Sequence, residues 1–261
     1  MLLHFYKYQG TGNDFVIIDD RKQTFPISQE LVAKLCDRRF GIGADGLMLL
    51  QNHPEYDFRM VYFNSDGNTS SMCGNGGRCL VRFAHALGIF KETTTFEAVD
   101  GLHEASVKDN LVYLKMNDVR YVQREAGYDF LNTGSPHYVT FMEQVQSMTH
   151  EEVVKQGRAI RYNDYFGPKG GTNVNFVEFL PDNSLFVRTY ERGVEDETYS
   201  CGTGVTACAL AANFHQLKSP VQIRTKGGDL QVAFNQVGEQ EFTDIYLIGP
   251  AEKVFEGMIE I

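Results

Sequence analysis

The sequence has no excess of positive charge. Its 24 Lys and Arg stand against 34 Asp and Glu, a formal net charge of −10, which argues against a nucleic-acid backbone or an anionic membrane as the main partner. No stretch approaches the roughly 18 uncharged apolar residues that cross a bilayer. The opening Met1-Leu2-Leu3-His4-Phe5-Tyr6-Lys7 lacks a basic region followed by a long apolar run and a small-residue cleavage site. It is therefore expected to be the first β-strand of a cytoplasmic protein. Cysteine is scarce: Cys36, Cys73, Cys79, Cys201 and Cys208. An odd number with no secretion signal makes a disulfide framework unexpected. No two lie at Cys-x(2–4)-Cys spacing and no His pair completes a site, so no metal is expected.

With 43% apolar and 22% charged residues, the chain has globular rather than disordered composition. Its length of 261 residues fits one large domain or two small ones. Short runs rich in β-branched and aromatic residues, bounded by Gly, Asp and Asn, predict strands. They are Phe15–Ile18, Phe58–Phe63, Leu111–Leu114, Asn175–Phe179 and Leu185–Tyr190. Ser28 caps a predicted helix running through about Arg39. Thr149-His150-Glu151-Glu152 is a capping box opening another, expected to end near Gly157. Two more helices each start just after a cysteine.

Those two expose a repeat. Cys73-Gly74-Asn75-Gly76 is echoed 128 residues later by Cys201-Gly202-Thr203-Gly204 (73 to 201). Gly202–Leu217 carries no charge, and a helix apolar all round is buried, so strands should wrap it. Gly10-Thr11-Gly12-Asn13-Asp14-Phe15-Val16 is echoed by Gly171-Thr172-Asn173-Val174-Asn175-Phe176-Val177. Gly101-Leu102 and Asp229-Leu230 both precede a strand pair. The expected fold is α+β: two pseudo-symmetric lobes, each a curled, mostly antiparallel sheet around one central helix. The N-terminal lobe is expected over 1–118, with about 251–261 returning to it, and the C-terminal lobe over 119–250. A ligand is expected between such lobes.

Each Cys-Gly-x-Gly turn leads into a helix whose first N–H groups lack internal partners, which makes it an anion cradle. A thiolate at that point is favoured by the same dipole. One copy would equally suit a small buried cysteine at a glycine turn; a duplicated thiol at a duplicated anion site is not what chance produces. Redox chemistry would place the two cysteines close in sequence, and cysteine proteases need one thiol and a His. Inverting a stereocentre needs a base on one face of a carbon and an acid on the other. Backbone N–H groups can hold the enolate-like charge without metal or pyridoxal phosphate. The pattern points to a cofactor-independent, two-base amino-acid epimerase.

Met72-Cys73-Gly74-Asn75-Gly76-Gly77-Arg78-Cys79, preceded by Phe63-Asn64-Ser65-Asp66-Gly67, resembles the signature of the diaminopimelate epimerase family. So do Gly10-Thr11-Gly12-Asn13-Asp14-Phe15, Gly41-Ile42-Gly43-Ala44-Asp45-Gly46, Tyr190-Glu191-Arg192-Gly193 and Cys201-Gly202-Thr203-Gly204, in the same order. The resemblance runs from Lys7 to about Gly257. It implies Cys73 and Cys201 as the catalytic thiols, with Cys201 the proton acceptor and Cys73 the donor in the LL-to-meso direction. It implies His137 and Glu191 beside them, tuning thiolate formation. Gly74, Asn75, Gly202 and Thr203 would hold the reacting carboxylate, and Asn13, Asn64, Asn173, Glu191 and Arg192 the rest of diaminopimelate. It further implies lysine and cell-wall precursor biosynthesis, no cofactor, and a homodimer.

Three positions depart from the pattern: Gly46 where Gln is frequent, Ser135 where Asn is common, and Phe255 where some relatives carry an interface Tyr. Blander roles compete: Asn13 capping its own turn, His137 as a satisfied loop histidine, Glu191 and Arg192 as a surface ion pair. Cys36, Cys79 and Cys208 suit core packing. The competing functions are a racemase of proline-like substrates, against which Asn75 and Arg192 argue, and a non-enzymatic diamino-acid binding protein.

Overall fold

A computed structural model describes residues 1–70 and 72–261. In chain order the elements are β1 (Leu2–Gly10), β2 (Asn13–Asp19), α1 (Gln29–Cys36), β3 (Gly46–Gln51), β4 (Phe58–Asn64), α2 (Gly74–Ala86), β5 (Thr93–Ala98), β6 (Gly101–Lys108), β7 (Leu111–Lys115), β8 (Gln123–Glu125), β9 (Tyr128–Asn132), β10 (Pro136–Phe141), α3 (His150–Arg161), β11 (Asn173–Phe179), β12 (Leu185–Glu191), β13 (Asp196–Thr198), α4 (Gly202–Asn213), β14 (Val221–Thr225), β15 (Gly228–Gln236), β16 (Phe242–Gly249) and β17 (Glu252–Glu260). They group into two compact units, Met1–Leu114 with Gly249–Ile261, and Lys115–Ile248.

In the first unit the strands lie in the order β17-β1-β2-β3-β4-β5-β6-β7. Neighbours are antiparallel except for the parallel pairs β2–β3 and β4–β5. In the second the order is β8-β9-β10-β11-β12-β14-β15-β16, with parallel pairs β10–β11 and β12–β14 and β13 hairpinned onto β12. The same sequence of strand directions therefore occurs twice. A parallel neighbour requires a crossover; α1 and α2 supply it in the first unit, α3 and α4 in the second. This is the α+β architecture of two pseudo-symmetric lobes anticipated above.

One expectation fails in its detail. The echo of Gly10–Val16 in Gly171–Val177 equates β2 with β11. The topology instead matches β2 with β10 and β3 with β11, because Phe15 pairs with Gly46 as His137 pairs with Asn173. The two Gly-Thr segments resemble each other because each turns the chain into a buried strand, although the strands are different ones.

Each sheet curls around one helix. α2 packs against β1, β2, β3, β6 and β17, and α4 against β9, β10, β11, β12, β14 and β15. Along α4 Gly202 and every residue from Gly204 to Asn213 is buried, as its lack of charge required. The outer faces are covered by α1 on β3 and by α3 on β11 and β12. Strands covered on both sides read as continuous apolar runs, and Phe15–Ile18 is buried throughout.

The two outer helices differ from expectation at their ends. Ser28 accepts from the Leu31 N–H as predicted, but α1 stops at Cys36 rather than Arg39. Asp37 turns extended and its carboxylate accepts the Arg39 and Phe40 N–H groups, an Asx turn that competes with the helix. Thr149 and Glu152 form the capping box, yet α3 continues past Gly157 to Arg161. Gly157 is no terminus. Its missing side chain lets the helix approach Tyr190, whose Cβ would lie 2.3 Å from a Cβ built there.

Candidate active site

Both repeated cysteines sit at the N-cap of a central helix, Cys73 before α2 and Cys201 before α4. Both have extended backbone, and neither makes a side-chain capping bond. The Gly77 and Val205 N–H groups return to their carbonyls at 2.7 and 2.9 Å. The other three thiols are buried. Burial pushes Cys36 up to about 12 and raises Cys79 and Cys208 as well, so these are poor nucleophiles.

In the first unit the β1–β2 hairpin turns through Thr11 and Gly12, both at positive φ, and delivers Asn13. Its Nδ2 donates to Asp45 Oδ2 at 2.5 Å. A carboxylate only accepts, so Oδ1 is the end that faces Cys73 Sγ (3.7 Å) and Asn75 Nδ2 (3.4 Å). The amide is committed to Asp45 rather than to its own turn. Asp45 also accepts from the Asp14 N–H, and Arg38 bridges both carboxylates. Burial would raise Asp14, but hydrogen bonds from Arg38 and Lys7 outweigh it and hold the carboxyl well below the ordinary range. Asn64 ends β4 at the surface, its backbone closing a turn with Gly67 and Asn68. At Gly46 a Cβ would lie 2.5 Å from the Tyr62 ring, so the position has no room for a Gln.

In the second unit His137 belongs to β10, not a loop, and is fully buried. Its Nε2 lies 2.9 Å from Thr203 Oγ1 and 3.0 Å from Ser135 Oγ. Its Nδ1 lies 3.2 Å from Asn175 Nδ2. Burial first, then the positive charge of Arg192, pushes its pKa down to about 3, so the ring is neutral near pH 7. Thr203 Oγ1 is in turn 3.5 Å from Cys201 Sγ. Asn173 opens β11, donating to Ser135 Oγ (3.1 Å) and the Pro136 carbonyl (2.9 Å) and accepting from the Arg192 N–H (2.8 Å). Ser135, the position that departs from the family pattern, is thus a member of the network. Glu191 is the last residue of β12. Arg192 follows on an exposed turn, and among the described residues its guanidinium makes no ion pair.

Four contributors escape sequence reasoning. Asp45 orients Asn13, and Thr189 donates to Asn175 Oδ1 at 2.9 Å. Asn175 itself is a buried polar residue in an apolar strand, and strand alternation with Asn173 was the available signal. Arg78 is fully buried, its guanidinium reaching the Gly74 and Pro250 carbonyls and Thr11 Oγ1 at 3.2–3.5 Å. It ties the first turn of α2 to the hairpin that carries Asn13. Among the described residues no group of three or more His, Cys, Asp or Glu is placed to hold a metal ion, and no helix is long and apolar enough to cross a membrane.

The duplicated sheet-and-helix lobes define a fold shared with a phenazine biosynthesis protein of the PhzF family from Bacillus anthracis. The two superpose with a TM-score of 0.79 over 100% of both chains, at 15% identity. The profile of the diaminopimelate epimerase family matches residues 5–122 and 130–254. The diaminopimelate epimerase of Flavobacterium psychrophilum is 54% identical over 258 residues, covering 97% of this chain and 99% of that one. That of Aquifex aeolicus is 41% identical over 280 residues, covering 98% of each. The chain belongs to the diaminopimelate epimerase family.

Proposed function

We propose that this protein interconverts LL- and meso-2,6-diaminopimelate by a two-base mechanism without cofactor, in the synthesis of lysine and a cell-wall precursor. The observation that carries the reading, together with family membership, is that two cysteines occupy the N-caps of two topologically equivalent buried helices. In the LL-to-meso direction the Cys201 thiolate takes the α-proton. The Cα–H electron pair passes into the carboxylate, which becomes enolate-like. Cys73 then donates its S–H proton to the opposite face of Cα, so the pair ends as Cys201 thiol and Cys73 thiolate; the reverse reaction exchanges the roles.

The N–H groups of Gly74, Asn75, Gly202 and Thr203 hold the reacting carboxylate where its charge grows. Asn13, Asn64, Asn173, Glu191 and Arg192 hold the remainder of the substrate, with the Arg192 guanidinium, which makes no ion pair among the described residues, taking the distal carboxylate. That second carboxylate separates this reading from a racemase of proline-like substrates, which would leave Arg192 without a partner. His137 and Glu191 adjust thiolate formation. The enzyme works as a cytoplasmic homodimer.

The test is α-proton exchange in deuterated water with LL-diaminopimelate, L-proline and L-hydroxyproline. Deuterium is expected in diaminopimelate alone, with exchange abolished in Cys73→Ala and Cys201→Ala. Exchange into proline but not diaminopimelate, or binding with no exchange, would overturn the proposal.

A further inference from the structure

The two central helices rest on different floors. Strand registers make Phe15 of β2 the counterpart of His137 of β10, and Met48 of β3 the counterpart of Asn175 of β11. Beneath α2 a Cβ on Gly76 would touch Met48 Sδ at 3.3 Å and the Phe15 ring at 3.4 Å. Beneath α4 a Cβ on Gly204 would meet Asn175 Oδ1 at 2.6 Å. The first floor is apolar; the second is polar and internally bonded. Burying polar side chains costs stability unless each is satisfied, and here the satisfaction runs in one direction.

That direction starts at a group with no choice. The Tyr138 carbonyl can only accept, and Asn175 Nδ2 donates to it at 2.9 Å. The Asn175 carbonyl end is taken by the Thr189 hydroxyl. The amide is therefore locked with its NH2 toward His137 Nδ1, so Nδ1 must accept and the ring proton must sit on Nε2. Nε2–H faces Thr203 Oγ1 at 2.9 Å and Ser135 Oγ at 3.0 Å. A hydroxyl that accepts there is left with its own proton to give; Ser135 Oγ lies 3.3 Å away and Cys201 Sγ 3.5 Å, and a charged thiolate is the stronger acceptor of the two.

We propose that Asn175, held by Thr189 and the Tyr138 carbonyl, is a positioning residue that fixes the Nε2–H tautomer of His137 and so makes Thr203 a hydrogen-bond donor to the Cys201 thiolate. In the opposite tautomer Nε2 would be an acceptor and would compete with the sulfur for the Thr203 proton. The inference rests on the reading of Cys201 as a proton acceptor. Other groups bear on this corner. Arg192 disfavours imidazolium and Cys208 lies on the same helix as Cys201. Glu191 ends the neighbouring β12. Ser135 Oγ takes the Asn173 amide N–H and also faces His137 Nε2 and Thr203 Oγ1, where its own proton can go to the Thr203 oxygen.

Two measurements test this without diaminopimelate, so their outcome is independent of whether the epimerase reading holds. Long-range 1H–15N correlation spectra of the unaltered protein, assigned with a His137→Gln sample, should show Nε2 protonated and Nδ1 bare near neutral pH. A protonated Nδ1 would overturn the proposal. Second, iodoacetamide labelling of Cys201 and Cys73 is followed against pH by peptide mapping. In Asn175→Ala the Cys201 midpoint should rise by about one pH unit, slowing its labelling near neutral pH about tenfold, while Cys73 is unchanged. Thr189→Val, which keeps volume and removes one hydroxyl, should move Cys201 the same way by less, and it carries the test if Asn175→Ala does not fold. Equal shifts at both cysteines, or none in a folded variant, would refute the proposal.

Discussion

Replacing Gly157 by Ala should destabilise the protein, against the usual sign of such a change. In a helix interior Ala is better than Gly by about 1 kcal/mol, and Gly157 is interior to α3. The added Cβ, however, would lie 2.3 Å from Tyr190 Cβ, 2.6 Å from its Cγ and 3.2 Å from its Cδ1. Carbon atoms pack at about 3.5–4.0 Å, so the contact is short by more than an ångström. The clash is at the root of the tyrosine, where no rotamer change relieves it. Tyr190 is fully buried and its hydroxyl is tied to Glu195 at 3.0 Å, so α3 must lift off β12. Overpacking of this kind costs about 1–3 kcal/mol. A misfit this large belongs at the top of that range, leaving a net loss of about 2 kcal/mol after the helix gain. At about 2–4 °C per kcal/mol, the melting temperature should fall by about 4–8 °C. Urea and thermal unfolding of Gly157→Ala would be compared with Ala159→Gly, an exposed site two residues on that reports helix propensity without the clash. If Gly157→Ala proves as stable as the parent chain, the close approach of α3 to β12 is wrong.

Arg78→Ala should cost about 3 kcal/mol or more, because it removes a buried side chain and the donor to two carbonyls and a hydroxyl; Arg78→Lys should recover only part of this by denaturant titration, since one ammonium does not span a guanidinium's fork. Burial works to raise the Glu195 carboxyl, but hydrogen bonds from Tyr162, the Gly193 N–H, Arg161 and Tyr190 lower it to about 2. The native state therefore resists protonation while the unfolded chain protonates near 4.5. The stability it contributes is complete above that value and is lost as pH falls toward 2, so Glu195→Gln should flatten the stability–pH curve across this window, measured by unfolding at stepped pH. Arg192→Ala should lower kcat/KM for diaminopimelate about a hundredfold, as for loss of a charge-assisted bond of about 2–3 kcal/mol, while iodoacetamide labelling of Cys201 changes far less; equal loss of both would mean the change only disturbed folding.

Much of this protein is written in local pattern. A helix without charge must be buried, so α4 and the strands around it follow from Gly202–Leu217 alone. Cys73 and Cys201, each followed by glycine at the start of such a helix, are recognisable for the same reason, because capping and dipole effects act within one turn. The Thr149 box and the Phe15–Ile18 strand are likewise set by neighbours in sequence. Contacts between residues far apart in the chain decided the rest. Gly157 has the composition of a helix end, and only Tyr190, 33 residues away in sequence (157 to 190), explains why it lies inside α3. The echo of Gly10–Val16 in Gly171–Val177 matched the wrong strands, since turn chemistry repeats wherever a chain enters a buried strand and only hydrogen-bond register tells β10 from β11. The proton on His137 is the furthest from legible. It depends on Tyr138, Asn175, Thr189 and Thr203, brought together from three strands and a helix N-terminus, and a hydrogen bond's direction is settled only when every partner's obligations are known.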